Sequence, residues 1–262
     1  MGPDPNTIKA CCAQSYSSDL VAMLLGASYH PGGLSLTRHV LDLLDLDENT
    51  TLVDVASGLG TTAFVAAAEY GAHVVGVDAS TENVATATAG AAQRGLADRV
   101  RFHVGDAEAL PLPAACCEAV ISECSLCLFP DKAAAVQQVG RILAPGGRVA
   151  IADVTAEPAR LPSELTGLTA WVACIADARP RGYYQDLLER AGFNVLHLQN
   201  HDREVTRMID QIEARIELLR LTRPLQQEYG WDPSRARPVL DAARDSVRRG
   251  DLGYAVLVAQ RR

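Results

Sequence analysis

The chain has 262 residues, of which 48% are hydrophobic, and this is enough apolar material for one large folded domain. Its formal net charge of −8 argues against a surface made for nucleic acid or anionic membranes. The first ten residues lack the apolar stretch of a signal peptide, and no run approaches the roughly 18 apolar residues of a membrane span. We therefore expect a soluble cytoplasmic protein that binds neither nucleic acid nor a membrane.

An alternation of strands and helices begins near residue 50. Ahead of it, the amphipathic stretch LTRHVLDLLDL predicts a helix. Short apolar runs rich in β-formers then alternate with alanine-rich stretches, and the predicted strands are TLVDVA, HVVGVDAS, RVRFHVGDA, CEAVISECSLCLF and RVAIADVT. Ser80 or Thr81 is the expected N-cap of the second helix, and Pro-Gly-Gly is expected to end the helix before RVAIADVT. Buried strands separated by helices favour a parallel sheet covered on both faces.

The alternation changes after residue 155. There follow an irregular stretch with prolines over 156–180, a helix in YYQDLLERAGF, a strand in NVLHLQN, helices over 203–221 and 234–248, and a terminal strand in LGYAVLVAQRR. This order predicts an antiparallel finish to the sheet. The predicted fold is a doubly wound, seven-stranded, mostly parallel α/β sheet of the Rossmann-like type. We expect an N-terminal helical segment and lid over 1–45, and a domain over 46–262 with a helical cap around 156–180 and 203–248.

A glycine-rich loop follows the first predicted strand, in Asp54-Val-Ala-Ser-Gly58-Leu-Gly60-Thr-Thr. Glycine lets a backbone approach a ligand closely, and the N-terminus of the next helix offers free N–H groups. Read as Gly58-x-Gly60-x-x-Ala63, the loop fits the dinucleotide fingerprint, with Asp78 after the second strand for a ribose. An NAD-dependent oxidoreductase is therefore one open interpretation.

Two further acids distinguish a dinucleotide site from a site for a ligand that carries an amino-acid group. Asp54 lies just before the loop, where a pyrophosphate site has little use for an anion but a ligand with an amino-acid ammonium group tolerates one. Asp106, in GDAEALP after the third strand, is placed to accept a hydrogen bond from an exocyclic amine at the carboxyl edge of the sheet. With the glycine loop, Asp78 and the Pro-Gly-Gly turn, these acids resemble the pattern of class I S-adenosylmethionine-dependent methyltransferases.

That resemblance implies a binding site for S-adenosylmethionine. The implied contacts are Gly58 and Gly60 with the methionine part, Asp78 and Ala79 with the ribose, and Asp106 and Ala107 with the adenine. Asp54 and Ser57 would act at the loop, and Glu123 at the end of the fourth strand, near the donor pocket. The chain departs from the family at Ala56, where the family usually has glycine. Alanine fits this position if its φ angle is negative, so we treat the departure as tolerable.

Seven cysteines stand at positions 11, 12, 116, 117, 124, 127 and 174. An odd count argues against a secreted disulfide framework, and Cys124-Ser-Leu-Cys127 has no second pair to complete a zinc site. The stretches SECSLCLFPDK and TAWVACIADARPRGYYQDLLERAGF, together with the pair in ACCAQ, resemble the arsenite methyltransferases. That resemblance implies that Cys11 or Cys12, with Cys174, are the catalytic residues that bind arsenic. A third family cysteine is missing near Ala214.

Trivalent arsenic is soft and thiophilic, so thiolates bind it, and its lone pair can attack a methyl carbon without a general base. The missing third cysteine would suit an already methylated arsenical, which needs two sulfurs. Otherwise Cys11 and Cys12 both bind, or the acceptor is a different compound. The expected partners are this small-molecule acceptor and a thiol reductant.

Two other interpretations stay open besides the oxidoreductase. The first is a methyltransferase that acts on a carbon, oxygen or nitrogen of a small metabolite, with incidental cysteines. It needs a base where the acceptor loses a proton, and the candidates are His30, His39, His103, Tyr16, Tyr29, Tyr183 and Tyr184. The second is a metalloid sensor without catalysis. We expect Cys116, Cys117 and Cys127 to be packing residues.

Overall fold

The computed structural model describes residues 23–25, 30–165, 175, 177–222, 228–229 and 231–262. Its strands are β1 (Thr51–Val55), β2 (His73–Asp78), β3 (Val100–Val104), β4 (Cys117–Glu123), β5 (Leu143–Ala156), β6 (Phe193–Asn200) and β7 (Leu252–Arg261). Its longer helices are α1 (Gly33–Leu44), α2 (Thr61–Tyr70), α3 (Thr81–Gln93), α4 (Lys132–Ile142), α5 (Arg181–Arg190), α6 (Asp202–Thr222) and α7 (Ala236–Arg249). No helix within these described ranges is both long and apolar enough to cross a membrane.

The seven strands form one sheet in the order β3-β2-β1-β4-β5-β7-β6. Neighbouring strands from β3 to β5 are parallel, and β7 is antiparallel to both β5 and β6. The predicted seven-stranded, mostly parallel, Rossmann-like fold is therefore confirmed. β2 and β3 lie on one side of β1 in the sheet, and the strands from β4 onward lie on its other side. Ligands of such sheets bind at the carboxyl ends of the strands where the order reverses, which here lies between β1 and β4.

Apolar side chains pack against both faces of the sheet, as a parallel sheet requires. On one face, Val40 and Leu41 of α1 pack with Ala63 and Ala66 of α2. β7 is buried continuously from its first residue, Leu252, because it lies between two strands and beneath helices. The strand ends are therefore fixed in position by the core, and so are the side chains that follow them.

The turn after β4 differs from the prediction. The strand ends at Glu123, and Leu126–Leu128 forms a single 3-10 turn where a longer strand was expected. The fully buried carboxylate of Asp153, in β5, accepts hydrogen bonds from the N–H groups of Ser125 and Cys127, both at 3.1 Å. This bonding draws the chain away from the direction of the strand.

The starts of α3 and β5 give one confirmation and one correction. Ser80 is the N-cap of α3, because its hydroxyl accepts from the Asn83 N–H at 3.2 Å. β5 begins at Leu143, directly after α4, so Pro-Gly-Gly lies within the strand and does not end the helix. The helix boundary was therefore predicted too late.

Candidate active site

The glycine loop joins β1 to α2 beside the end of β2. The N–H groups of Ala56 and Ser57 both donate to the carbonyl oxygen of Val77, at 2.7 and 3.1 Å. The Gly60 N–H donates to the Ser57 carbonyl oxygen at 2.9 Å, and Gly60 precedes α2 with φ +82°. The loop therefore places the N-terminus of α2, with its free N–H groups, at the carboxyl edge of β1 and β2.

The two glycines of the loop have different surroundings. A Cβ atom added to Gly58 would have no described atom within 4 Å, so this residue faces open space. A Cβ atom added to Gly60 would lie 2.5 Å from Cζ of Phe102, which is in the core. Gly58 therefore leaves room for a ligand to approach the backbone, whereas Gly60 is required by packing.

Asp78, the last residue of β2, joins the loop to the next helix. Its Oδ2 accepts from the Gly58 N–H at 2.8 Å. Its Oδ1 accepts from the Ser80 N–H at 2.9 Å and from the side-chain amide of Asn83 at 3.2 Å. Carboxylates make strong hydrogen bonds with such donors. Asp78 thus presents a well-held acceptor at the strand end where the sequence predicts a ribose contact.

Two acids lie beside the loop: Asp54 in β1 and Glu123 at the end of β4. Asp54 is only 3% exposed, and its Oδ2 has no hydrogen-bond partner among the described residues. Burial raises the pKa of Asp54 well above its usual range, and the negative charges of Glu123 and Asp78 raise it further. The hydroxyl oxygen of Ser57 is also buried without a partner in the described part of the chain. These unpaired polar atoms fit a ligand that brings a positive, hydrogen-bonding group.

Glu123 has a set of polar partners, which we call the Glu123 network: Thr37, Thr62 and His30. Its Oε2 accepts from Thr62 Oγ1 at 2.6 Å, its Oε1 accepts from Thr37 Oγ1 at 3.2 Å, and His30 Nε2 lies 3.8 Å from Oε1. Sequence reasoning missed both threonines. Thr37 could have been found in the sequence as a hydroxyl residue on the otherwise apolar face of α1, where the structure buries it fully.

The predicted adenine residues follow β3. Asp106 is exposed, two residues beyond the end of the strand, and its Oδ1 accepts from the Glu108 N–H at 2.9 Å. Ala107 is buried in the same turn, and Ala79, just after β2, is exposed. The nine predicted cofactor residues thus lie in β1, in its loop, or at the carboxyl ends of β2, β3 and β4. Their contacts with a cofactor stay a prediction.

The predicted arsenic ligands Cys11, Cys12 and Cys174 lie outside the described residues, as do Tyr16 and Tyr29. The described cysteines are Cys116 and Cys124, which are partly buried, and Cys117 and Cys127, which are fully buried. Burial raises the pKa of the Cys117 thiol, which suits a packing residue better than a reactive one.

The described candidate bases are spread over the molecule. His30 belongs to the Glu123 network, and its side chain is 11% exposed. His39 hydrogen-bonds through Nε2 with Gln199 Oε1 at 2.7 Å, and the buried Tyr184 hydroxyl donates to the Val154 carbonyl oxygen at 3.3 Å. His103 and Tyr183 are exposed. His30 is therefore the candidate with a direct connection to a predicted cofactor residue.

Ala56 has φ +62°, in the left-handed region, so the negative φ that would make alanine tolerable is wrong. Its N–H must reach the Val77 carbonyl oxygen, and this bond sets the turn. We expect Ala56→Gly to raise the free energy of unfolding by up to about 1.5 kcal/mol, because it relieves about 1–2 kcal/mol of strain and adds a chain-entropy cost of only about 0.5–1 kcal/mol. Urea denaturation measures this change.

Ala85→Gly is the matched control for this substitution, because Ala85 lies on the exposed face of α3. It should lower the free energy of unfolding by about 1 kcal/mol. Equal losses in the two variants would contradict backbone strain at Ala56.

Comparisons with known proteins identify the family of the chain. Residues 46–203, more than half of the chain, match the family described as "Methyltransferase domain". The chain is 34% identical to an arsenite methyltransferase of Halobacterium salinarum, over 63% of this chain and 42% of the relative. It is 30% identical to a phosphoethanolamine N-methyltransferase of Triticum aestivum, over 71% of this chain and 36% of the relative. The chain thus spans less than half the length of these two curated relatives.

Solved structures share the fold over nearly the whole chain. The [4+2]-cyclase SpnF has a TM-score of 0.77 at 25% identity, covering 99% of this chain and 97% of its own. A phosphoethanolamine N-methyltransferase 2 of Haemonchus contortus, in complex with S-adenosyl-L-methionine, has a TM-score of 0.80 at 18% identity. The match covers 97% of this chain and 60% of the Haemonchus contortus chain. The cofactor that follows from the family match is S-adenosylmethionine. The chain belongs to the methyltransferase-domain family and has the class I fold of the S-adenosylmethionine-dependent methyltransferases.

Proposed function

We propose that the chain transfers a methyl group from S-adenosylmethionine to a trivalent arsenical held by cysteine thiolates. The observation that carries the proposal is the cysteine pattern of the sequence, Cys11-Cys12 and Trp171-x-x-Cys174. The 34% identity to an arsenite methyltransferase supports it. The absence of a cysteine near Ala214 favours a singly methylated arsenical, which two sulfurs can hold.

The donor half of the reaction would use the residues at the strand ends. Asp78 is placed to accept hydrogen bonds from the ribose, the space beside Gly58 to admit the methionine part, and the turn at Asp106 and Ala107 to hold the adenine. When bound, S-adenosylmethionine supplies an electrophilic methyl group on a positively charged sulfur. The negative charge of Asp78 at this edge of the sheet makes the site favourable for a cationic ligand.

The acceptor half would use the thiolates of Cys174 and of Cys11 or Cys12, which lie outside the described residues. Ile175, next to Cys174 in the chain, is buried in the core. Asp177 is joined by its Oδ2 to the nearly buried Lys132 ammonium at 2.5 Å, and Lys132 begins α4 directly after the β4 turn. These contacts anchor the described flank of Cys174 beside the carboxyl edge of β4, and that supports a role for Cys174 at the acceptor.

One observation favours a second candidate function, methyl transfer to a hydroxyl group of a small metabolite. His30 Nε2 lies 3.2 Å from Thr37 Oγ1, and that hydroxyl reaches Glu123. A histidine held by a hydroxyl and a carboxylate is a suitable general base for an acceptor that loses a proton. The chain is also 34% identical to the nocamycin O-methyltransferase of Saccharothrix syringae, over 47% of this chain and 44% of the relative.

The arsenical is tested by titrating methylarsenite into the protein and recording tryptophan fluorescence. The chain has two tryptophans, so a Trp231→Phe background leaves Trp171 as the reporter. We expect a fluorescence change on binding. We expect Cys174→Ser to weaken binding by about 10²–10⁴-fold, because a two-point attachment becomes a single one. Cys116→Ser is the matched control and should leave binding unchanged.

Product analysis by mass completes this test. Incubation with S-adenosylmethionine and thiol-bound methylarsenite should give a dimethylated arsenical in the Cys116→Ser control and none in Cys174→Ser. Methylation of hydroxyl acceptors that is unaffected by Cys174→Ser but lost in His30→Ala would instead select the second candidate. Arsenical binding without any turnover would select the sensor interpretation.

A further inference from the structure

Asp54 is a buried acid whose carboxyl group has fewer hydrogen-bond donors, in the described part of the chain, than it can accept. It lies in the middle of the sheet, paired in register with Gly76 of β2 and Ile121 of β4. The carboxyl group of Asp54 accepts one hydrogen bond, from the Ala63 N–H of α2. Its Oδ2 atom has no partner among the described residues. A charge buried with so little compensation is unstable, and such a group becomes neutral.

The charges that face Asp54 make ionisation harder still. Among the described residues these are Glu123 from β4 and Asp78 from β2, both acids, while α2 contributes the Ala63 N–H. Glu123 and Asp78 are each held by at least two donors: the hydroxyls of Thr37 and Thr62 for Glu123, and N–H groups for Asp78. Asp54 is the acid of this group that lacks such donors.

We propose that Asp54 carries a proton in the cofactor-free protein and releases it to solvent when the ammonium group of the bound cofactor occupies the neighbouring space. The carboxylic acid becomes a carboxylate, one proton passes to the buffer, and the ligand keeps its own ammonium protons. The arriving positive charge stabilises the buried carboxylate electrostatically, as the neighbouring acids cannot. The inference concerns donor binding alone and is independent of the acceptor.

The proposal gives cofactor binding a defined dependence on pH. In the free protein, burial and two neighbouring acids raise the pKa of Asp54, so the acid form persists above its usual range. Below that raised pKa, binding of the cofactor must expel the proton. The affinity for the cofactor should therefore increase by up to about tenfold for each unit by which the pH is raised. Above it, the affinity should become independent of Asp54.

Calorimetry counts the protons directly. S-adenosylhomocysteine, which has the same ammonium group and is not consumed, is titrated at about pH 5.5 in buffers that differ in their heat of ionisation. The slope of the observed enthalpy against that heat should show release of about one proton per ligand in the wild-type protein. The slope should be near zero in Asp54→Asn. Asp106→Asn is the matched control, which should bind more weakly and still release the proton.

A second ligand keeps the test decisive even if Asp54→Asn does not fold. Methylthioadenosine has the nucleoside and thioether but no amino-acid part, so it should bind the wild-type protein without releasing a proton. Equal proton release by methylthioadenosine and S-adenosylhomocysteine would overturn the proposal. Unchanged release in a folded Asp54→Asn variant would do the same.

Discussion

Replacing Asp78 with alanine should weaken the binding of S-adenosylhomocysteine by about 100-fold or more. Two hydrogen bonds from ribose hydroxyls to a charged acceptor would be lost, each worth about 1.5–3 kcal/mol. The substitution also removes the acceptor of the Gly58 N–H, 2.8 Å away, and of the Ser80 N–H, 2.9 Å away. The glycine loop and the start of α3 would then lose their common support. Equilibrium dialysis or calorimetry measures the dissociation constant.

The matched control for Asp78 is Asp98→Ala, because Asp98 is an exposed acid just before β3, at the opposite edge of the sheet. It should bind S-adenosylhomocysteine as the wild-type protein does. The affinity of Asp78→Asn should lie between those of Asp78→Ala and Asp98→Ala. Its amide oxygen can still accept a hydrogen bond from the loop N–H but carries no charge. An unchanged dissociation constant in Asp78→Ala would place the ribose elsewhere.

The mostly parallel sheet and its antiparallel finish could be predicted because the strands are short apolar runs that mostly alternate with helices, whereas the order of the strands was not predicted. The three acids Asp54, Asp78 and Asp106 could be predicted as a group for the same reason. Each stands in or just after such a strand, and parallel strands bring their carboxyl ends to one edge. Local pattern was sufficient for these two features, although it misplaced the boundary between α4 and β5.

The features that were missed depend on contacts between distant parts of the chain. β4 ends at Glu123 because Asp153, thirty residues later, binds the following turn. Ala56 is left-handed because its N–H reaches Val77 across to the next strand. Thr37 was missed because its partner Glu123 is 86 residues away. Of these pairings, only that of Thr37 leaves a local signal, a hydroxyl residue on the apolar face of α1.

Alanine substitutions at three left-handed glycines should separate packing from ligand access. Gly60→Ala should lower the free energy of unfolding by about 2–5 kcal/mol, the sum of about 1–2 kcal/mol of backbone strain at φ +82° and about 1–3 kcal/mol of overpacking against Phe102. The neighbouring Phe64 is 3.0 Å from the added Cβ and packs edge-on against Phe102, so neither ring can move freely. Urea denaturation measures this loss.

Gly58 and Gly95 supply the contrast that identifies the cause. Both have positive φ angles, +53° and +68°, and an added Cβ meets no described atom within 4 Å at either position. Alanine at each should therefore cost about 1–2 kcal/mol of strain alone. Gly95 closes α3 far from the loop, so Gly95→Ala should bind S-adenosylhomocysteine normally, whereas Gly58→Ala should bind it poorly although its stability is the same. If Gly58→Ala bound as well as Gly95→Ala, the open space beside Gly58 would not be where the cofactor lies. A ligand site and a packing requirement would then have been confused within the same five-residue loop.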